Sequence, residues 1–437
     1  MTRTRTIRTR TRTTRTPTRA TRIPTPQTRA STTAERALAR CIEPVSAEEF
    51  FAEHWERKPL VVARDEGGRF DDLLSLADVE RLICSSGIRY PSIRLVKAGA
   101  TISRRDYTAD LPWRPDPLTG TADVRRVLAE FDAGATVVLQ ALHHTWEPLA
   151  RFCRSLELLL DHAVQTNAYF TPRDSQGLAV HHDTHDVFVL QVHGEKRWLV
   201  YEPAWPLPLK NQRYRKELGR PGEAVHDVVL RPGDTLYMPR GWLHMATTSQ
   251  TDSLHLTVGV SVYSWLDALK AALEECGDDV DFRREARPDS DLQDELVARL
   301  LERLEPDEVT RRRRKRFVKS RRPVLAGQLS QLRALDSLTE DTLLERRDTV
   351  VADMAVLGDT VKLFFDGHHL ELPADLERDV EFMVETDELF RPSDLPGQLD
   401  EESRLVLIRR LVREGFLEVS ADERAGPSPR SDERAAE

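Results

Sequence analysis

Between residues 165 and 262 the chain breaks into short apolar, β-branched runs: TNAYFTP, HDVFVLQV, KRWLVYEP, HDVVLRPGDTLYMP and SLHLTVGVSVY. Gly, Pro or Asp closes each run, and short strands punctuated in this way are the pattern of a small barrel or sandwich. Upstream the texture is mixed. SAEEFFAEHWERKPLVVAR reads as a capped helix from Ser46 and a strand over 60–63 behind Pro59. TADVRRVLAEFDAGATVVLQAL reads as a helix, a turn at Gly134 and an apolar strand over 135–142. Downstream of Trp265 the sequence is helix-forming and charged as far as 348.

Residues 358–420 read as a separate small unit. It has a hairpin turning at Asp366–Gly367, a helix to about 384, and a last helix from near Asp400 that ends before Gly415 with the strand FLEVS behind it. Helices plus a hairpin in so few residues suggest a winged-helix-like module. Residues 1–34 are a Thr/Arg/Pro tract and 421–437 a polar tail, neither with enough apolar surface to form a core.

Residues 1–34 hold nine arginines and no acid, so the formal charge of −9 leaves the remainder at about −18. An acidic body of this kind is expected not to take nucleic acid as its main partner. No apolar run reaches the 18 residues a membrane span needs, and the N-terminus lacks the apolar stretch of a secretory signal. Cys41, Cys84, Cys153 and Cys276 are scattered with no close pair, which fits a reducing cytoplasm and excludes a thiolate zinc site built on close pairs. A metal here must be held by His, Asp or Glu.

GLAVHHDTHDVFVLQVHGEKRW offers such ligands. In a strand, residues two apart share a face, so His181 and Asp183 can point together while His182 turns away. A third ligand from a later strand would complete a 2-His-1-carboxylate set, which leaves three positions open on Fe(II). LRPGDTLYMPRGWLHMAT supplies His244, aimed by the turn at Pro239–Arg240–Gly241, 63 residues after His181. HxD alone is weak; HxD followed by PGDxLYxPRGxxH is strong. His185 shares the nominal face of His181 as a competing ligand or supporting group, and His255 reads as a structural or supporting histidine. His143 and His144 read as ordinary polar residues. Gly194 reads as the hairpin turn after the strand carrying Asp183, and Lys196 opens the next strand; pointing inward it would need an anion, pointing outward it would be a solvated neighbour of Arg197.

These segments, with FFAEHWERKPLVV near the start, resemble the JmjC/cupin ribosomal oxygenase family, the Fe(II)- and 2-oxoglutarate-dependent protein hydroxylases. The resemblance implies an α+β chain. A double-stranded β-helix (the cupin/JmjC jelly roll) over 35–265 would be followed by a helical dimerisation region over 266–348 and a winged-helix-like module over 349–420. It implies Fe(II) on His181, Asp183 and His244, 2-oxoglutarate on Lys196 with Asn167 near the pocket, and O2 as co-substrate. It further implies a homodimer and a protein substrate, a His or Arg of a ribosomal protein. The extra imidazoles of His182 and His185 depart from the family pattern. So does Gly259, which stands where a small hydroxyl residue is expected. A small-molecule or peptide natural-product hydroxylase, and a non-catalytic metal-binding regulator, are the competing functions. Two basic segments, Arg404 to Arg413 in the last helix and RRRRKRFVKSRR at 311–322, are candidate polyanion contacts or solvated faces.

Overall fold

The strand Ala163–Thr171 shows how the fold is organised. Val164, Thr166 and Ala168 are buried on one face beneath helices, while Tyr169 on the other face looks toward a second sheet. In the computed structural model, residues 29–420 are described, apart from 65, 113, 216, 218–220 and 287–292. The first thirteen strands are β1 (Leu60–Val62), β2 (Ile93–Lys97), β3 (Ala100–Thr101), β4 (Thr108–Leu111), β5 (Leu118–Ala122), β6 (Thr136–Leu139), β7 (Ala163–Thr171), β8 (Asp186–Gly194), β9 (Lys196–Tyr201), β10 (Ala224–Leu230), β11 (Thr235–Met238), β12 (Leu243–Thr247) and β13 (Ser253–Ser261). Eight of them form one sheet in the order β1-β11-β8-β13-β7-β6-β2-β3, and a second sheet runs β10-β9-β12. Val187, Val189, Trp198, Val200, Leu236 and Met238 fill the space between the two. This is a double-sheet jelly roll, one of the barrel or sandwich forms the strand pattern allowed and the one the resemblance implied.

The outer face of the large sheet carries the main core, with Leu38, Phe50, Leu74, Leu149, Leu156 and Phe188 packed together. Its first helix, Arg29–Ile42, begins inside the tract read from sequence as a tail through 34. Ala34, Ala37, Leu38, Cys41 and Ile42 recur at helical spacing and are buried, which explains the earlier start. The rest of that tail, 1–28, and the tail 421–437 lie outside the described residues.

One expectation changes in kind. Gly194 does not close a hairpin between β8 and β9, because β9 pairs only with β10 and β12. The chain instead crosses from the large sheet to the small one at this point. A Cβ at Gly194, whose φ is +61, would lie 1.8 Å from the Asp252 carbonyl oxygen, so only glycine allows the crossing.

Past Trp265–Cys276, Gln293–Glu302 and Pro306–Ser320 the chain is not wholly helical to 348. Strand β14 (Leu344–Arg346) pairs with β18 (Leu417–Val419), and β15 (Ala352–Leu357), β16 (Thr360–Phe365) and β17 (His368–Pro373) form a three-stranded meander. Asp366 and Gly367 take positive φ at the β16–β17 turn, as a two-residue hairpin requires. Helices Glu377–Glu385 and Glu401–Arg413 close the unit, the second capped by Asp400, which accepts from the Ser403 N–H at 2.8 Å. Its core reaches back to Leu335 and Leu338. Among the described residues no helix is long and apolar enough to cross a membrane.

Candidate metal centre

His181 and Asp183 lie just before β8, not within a regular strand. What aligns them is a reciprocal backbone pair with β12: the His244 N–H donates to the His181 carbonyl at 2.9 Å and the His181 N–H to the His244 carbonyl at 3.2 Å. The Gly241 N–H donates to the Asp183 carbonyl at 3.0 Å, so the turn 239–241 is fastened to the same segment. One ligand atom from each of His181, Asp183 and His244 then falls within 4.8 Å of the others. His244 Nε2 is 3.7 Å from Asp183 Oδ2.

Each imidazole is oriented from behind. His181 Nδ1 meets the Ala179 carbonyl at 2.8 Å and His244 Nδ1 the Trp242 carbonyl at 3.0 Å. A carbonyl only accepts, so the proton sits on Nδ1 and the Nε2 lone pair is free for a cation. Burial, and then the neighbouring His181, push His244 down to about 4, keeping it neutral. Burial alone would raise Asp183, but the imidazoles of His185, His181 and His244 together bring it below the ordinary carboxylate value.

Lys196 points inward. It is 4% exposed and donates to Thr171 Oγ1 at 2.8 Å, which also takes the Thr136 hydroxyl at 3.0 Å. Among the described residues no carboxylate pairs with it, and burial alone pushes it down to about 7. Lys196 and the three candidate ligands line one cavity, with Tyr169, Trp198, His255 and Thr257. His255 stacks on Tyr169 at 5.0 Å, and burial, then Lys196, hold it well below its ordinary value. Its Nδ1 is buried with no partner. A nitrogen–nitrogen–oxygen donor set beside an uncompensated cation fits a divalent metal with an anionic chelator.

Asn167 shares the face of Tyr169, but its Oδ1 accepts from the Ala141 N–H at 2.9 Å and it does not line the cavity. His182 turns away and meets the Gln212 carbonyl at 3.1 Å. The His185 ring lies over Gly259, where an added Cβ would sit 3.0 Å from it; that ring fills the place expected for a hydroxyl side chain. His143 Nδ1 accepts from the Thr166 N–H at 3.2 Å, away from the cavity. Tyr169, Thr171, Thr136 and Thr257 were missed by sequence reading. The first two were legible in principle, two and four residues beyond Asn167 on one strand face.

In the basic run at 311–322 Arg312 is buried and Arg313, Arg314 and Arg321 are half-buried, while Arg311, Lys315, Arg316, Lys319 and Arg322 are exposed. Arg312 pairs with Glu275 at 2.9 Å, Arg314 with Asp161 at 2.9 Å, and Arg321 with Glu157. In the last helix Arg404 pairs with Glu340 at 2.9 Å and Arg409 donates to the Leu335 carbonyl at 3.2 Å.

Residues 140–268 match the family model of the JmjC domain. Ribosomal oxygenase 2 of Rattus norvegicus is 33% identical over 285 residues, 62% of this chain and 56% of that protein. The bifunctional lysine-specific demethylase and histidyl-hydroxylase NO66 of Drosophila persimilis is 33% identical over 227 residues, 51% of this chain and 31% of that protein. The chain thus spans about half or less of the length of these curated relatives. Among solved structures, Escherichia coli ycfD aligns over 86% of this chain and 98% of its own, with a TM-score of 0.53 and 19% identity. Another structure of that ribosomal oxygenase is a complex with cobalt and 2-oxoglutarate (TM-score 0.50, 20% identity). Residues 140–268 therefore carry a JmjC-domain match, and the backbone shares the fold of the ribosomal oxygenase ycfD.

Proposed function

We propose that this chain is an Fe(II)- and 2-oxoglutarate-dependent dioxygenase that hydroxylates a protein side chain, a His or Arg of a ribosomal protein. The observation that carries the reading is the pairing of three convergent ligand atoms with a buried lysine that has no carboxylate partner. His181, Asp183 and His244 would hold the iron on one side and leave the cavity side free. Lys196, with the Thr171 hydroxyl beside it, would take the far carboxylate of the keto acid. When bound, iron and 2-oxoglutarate supply the activation of O2 and the transfer of one oxygen atom to a C–H bond. The protein contributes position and dryness: Val187, Val189, Trp198 and Met238 exclude water around the ligands, and the Tyr169–His255 stack walls the cavity. The cobalt and 2-oxoglutarate complex of ycfD and the histidyl-hydroxylase name of a relative support the reading.

The same reading assigns 35–265 as the catalytic domain and the helices after 265 as a homodimerisation region. Trp265, Leu273, Val297 and Leu301 are all at least half exposed on those helices, an apolar surface that a second copy would cover. The unit from Leu335 to 420 is winged-helix-like in its mix of helices and a three-stranded meander. Free cysteines at 41, 84, 153 and 276 accord with a cytoplasmic setting.

Asp183→Ala tests the function directly. Succinate formation from 2-oxoglutarate should fall below detection, and full turnover by the variant refutes the assignment. Mass spectrometry of ribosomal proteins from cells with and without the gene should then show a lost +16 Da (one oxygen atom).

A further inference from the structure

Asp186 is fully buried, three residues beyond Asp183, and on the opposite side of the chain from the cavity. Its Oδ1 accepts from the Arg240 backbone N–H at 2.9 Å and lies 3.3 Å from the Arg240 guanidinium. Its Oδ2 accepts from the Tyr237 hydroxyl at 3.3 Å. The guanidinium also pairs with Glu56, whose backbone N–H donates to the Tyr237 hydroxyl at 3.0 Å. Glu56 has a φ of +57, a conformation rare outside glycine, and Trp55 before it stacks on Tyr237 at 6.0 Å. A non-glycine residue persists in that region only where its surroundings hold it there.

Arg240 directly precedes Gly241, whose N–H reaches the Asp183 carbonyl. The turn that delivers His244 is therefore fastened to the His181–Asp183 segment at three successive points: 181 with 244, 183 with 241, and 186 with 240. The first two are backbone pairs. The third depends on side chains, and through Glu56 it extends outside residues 140–268 into the FFAEHWERKP segment.

We propose that Glu56, Asp186 and Arg240 are positioning residues for the metal. They set the register of the 239–244 turn on the His181–Asp183 segment, and the N-terminal segment is in this way part of the metal centre. None of the three reaches the cavity, so they act through the ligands. The inference rests on the proposed metal reading, and its test separates the two.

The probe is Co(II) bound to the full chain with 2-oxoglutarate present, followed by titration and by the visible ligand-field spectrum. Thermal unfolding of each variant is measured alongside. Arg240→Ala should weaken Co(II) binding by about 10- to 100-fold, the usual cost of losing a group that orients metal ligands, and should alter the spectrum. Asp186→Asn, which keeps an acceptor for the Arg240 N–H, should recover most of the affinity lost in Asp186→Ala. Glu56 is a third exposed and tolerant of exchange, so Glu56→Gln gives a folded variant in which a threefold to tenfold weakening is expected. Arg404→Ala, which breaks a distant pair with Glu340, should lower stability without changing Co(II) affinity or spectrum. The positioning role is overturned if folded Glu56→Gln and Arg240→Lys or Arg240→Ala bind Co(II) as the wild type does with the same spectrum. If the wild type itself binds no Co(II), the metal reading falls instead.

Discussion

Two buried cations, Arg154 and Lys196, are 3% and 4% exposed and are treated in opposite ways. Arg154, on the helix Glu147–Leu160, sits between Glu157 at 3.1 Å and Asp366 at 2.8 Å, and it donates to the Thr349 and Arg322 carbonyls. It ties the jelly roll to the β16–β17 turn of the C-terminal unit. Lys196 has a threonine hydroxyl and nothing anionic. An unpaired buried charge is costly. The chain compensates one cation with two carboxylates and leaves the other bare, and under the proposed function the second awaits the far carboxylate of the keto acid.

The largest effect that can break this contrast is at Arg154. Arg154→Met leaves Asp366 buried without its partner and should cost about 3–5 kcal/mol in urea unfolding. A loss below about 1 kcal/mol would mean the pair is no better placed than a surface one. Lys196→Met should show the reverse profile. Stability holds or rises by up to about 2 kcal/mol, because an uncompensated charge is removed. Binding of 2-oxoglutarate to the Co(II)-loaded protein falls by roughly 30-fold or more, the equivalent of about 2 kcal/mol for a charged hydrogen bond. Calorimetry and unfolding on the same variant check both halves.

The acid–base behaviour of Lys196 sharpens the point. With its value near 7 in the free protein, the amine is largely neutral at pH 8, and an anion binds only its charged form. Binding of 2-oxoglutarate should take up close to one proton at pH 8 and almost none at pH 6, and affinity should fall as pH rises from 7 to 9. Calorimetry in buffers of different ionisation enthalpy measures that uptake. The smallest effect is at the next residue along. Arg197 pairs with Asp227 at 2.6 Å on the exposed surface, so Arg197→Gln should leave both the unfolding midpoint and 2-oxoglutarate affinity unchanged.

The candidate site was legible where function is written in local turn chemistry. HxD and the Pro-Arg-Gly turn before His244 each fix a short backbone path, and their spacing left room for the intervening strands. Gly194 was legible as a turn but not as a change of sheet, because that depends on which strand β9 meets, not on its own residues. Thr136 and Thr257 come from two strands far apart in sequence and converge only through pairing, so no local pattern marked them. The pairing of Arg314 and Arg321 was hidden within a run read as a polyanion contact or a solvated face, because their partners, Asp161 and Glu157, lie some 150 residues away. Strand β14 was hidden for the same reason, since its partner β18 lies more than 70 residues on.

A crystal structure of the full chain with Co(II) and 2-oxoglutarate tests the central claim most directly. It should show the cation held by His181, Asp183 and His244, with the far carboxylate of the keto acid on Lys196 Nζ. A cation bound elsewhere, or a keto acid whose far carboxylate leaves Lys196 without an anion, would contradict the account.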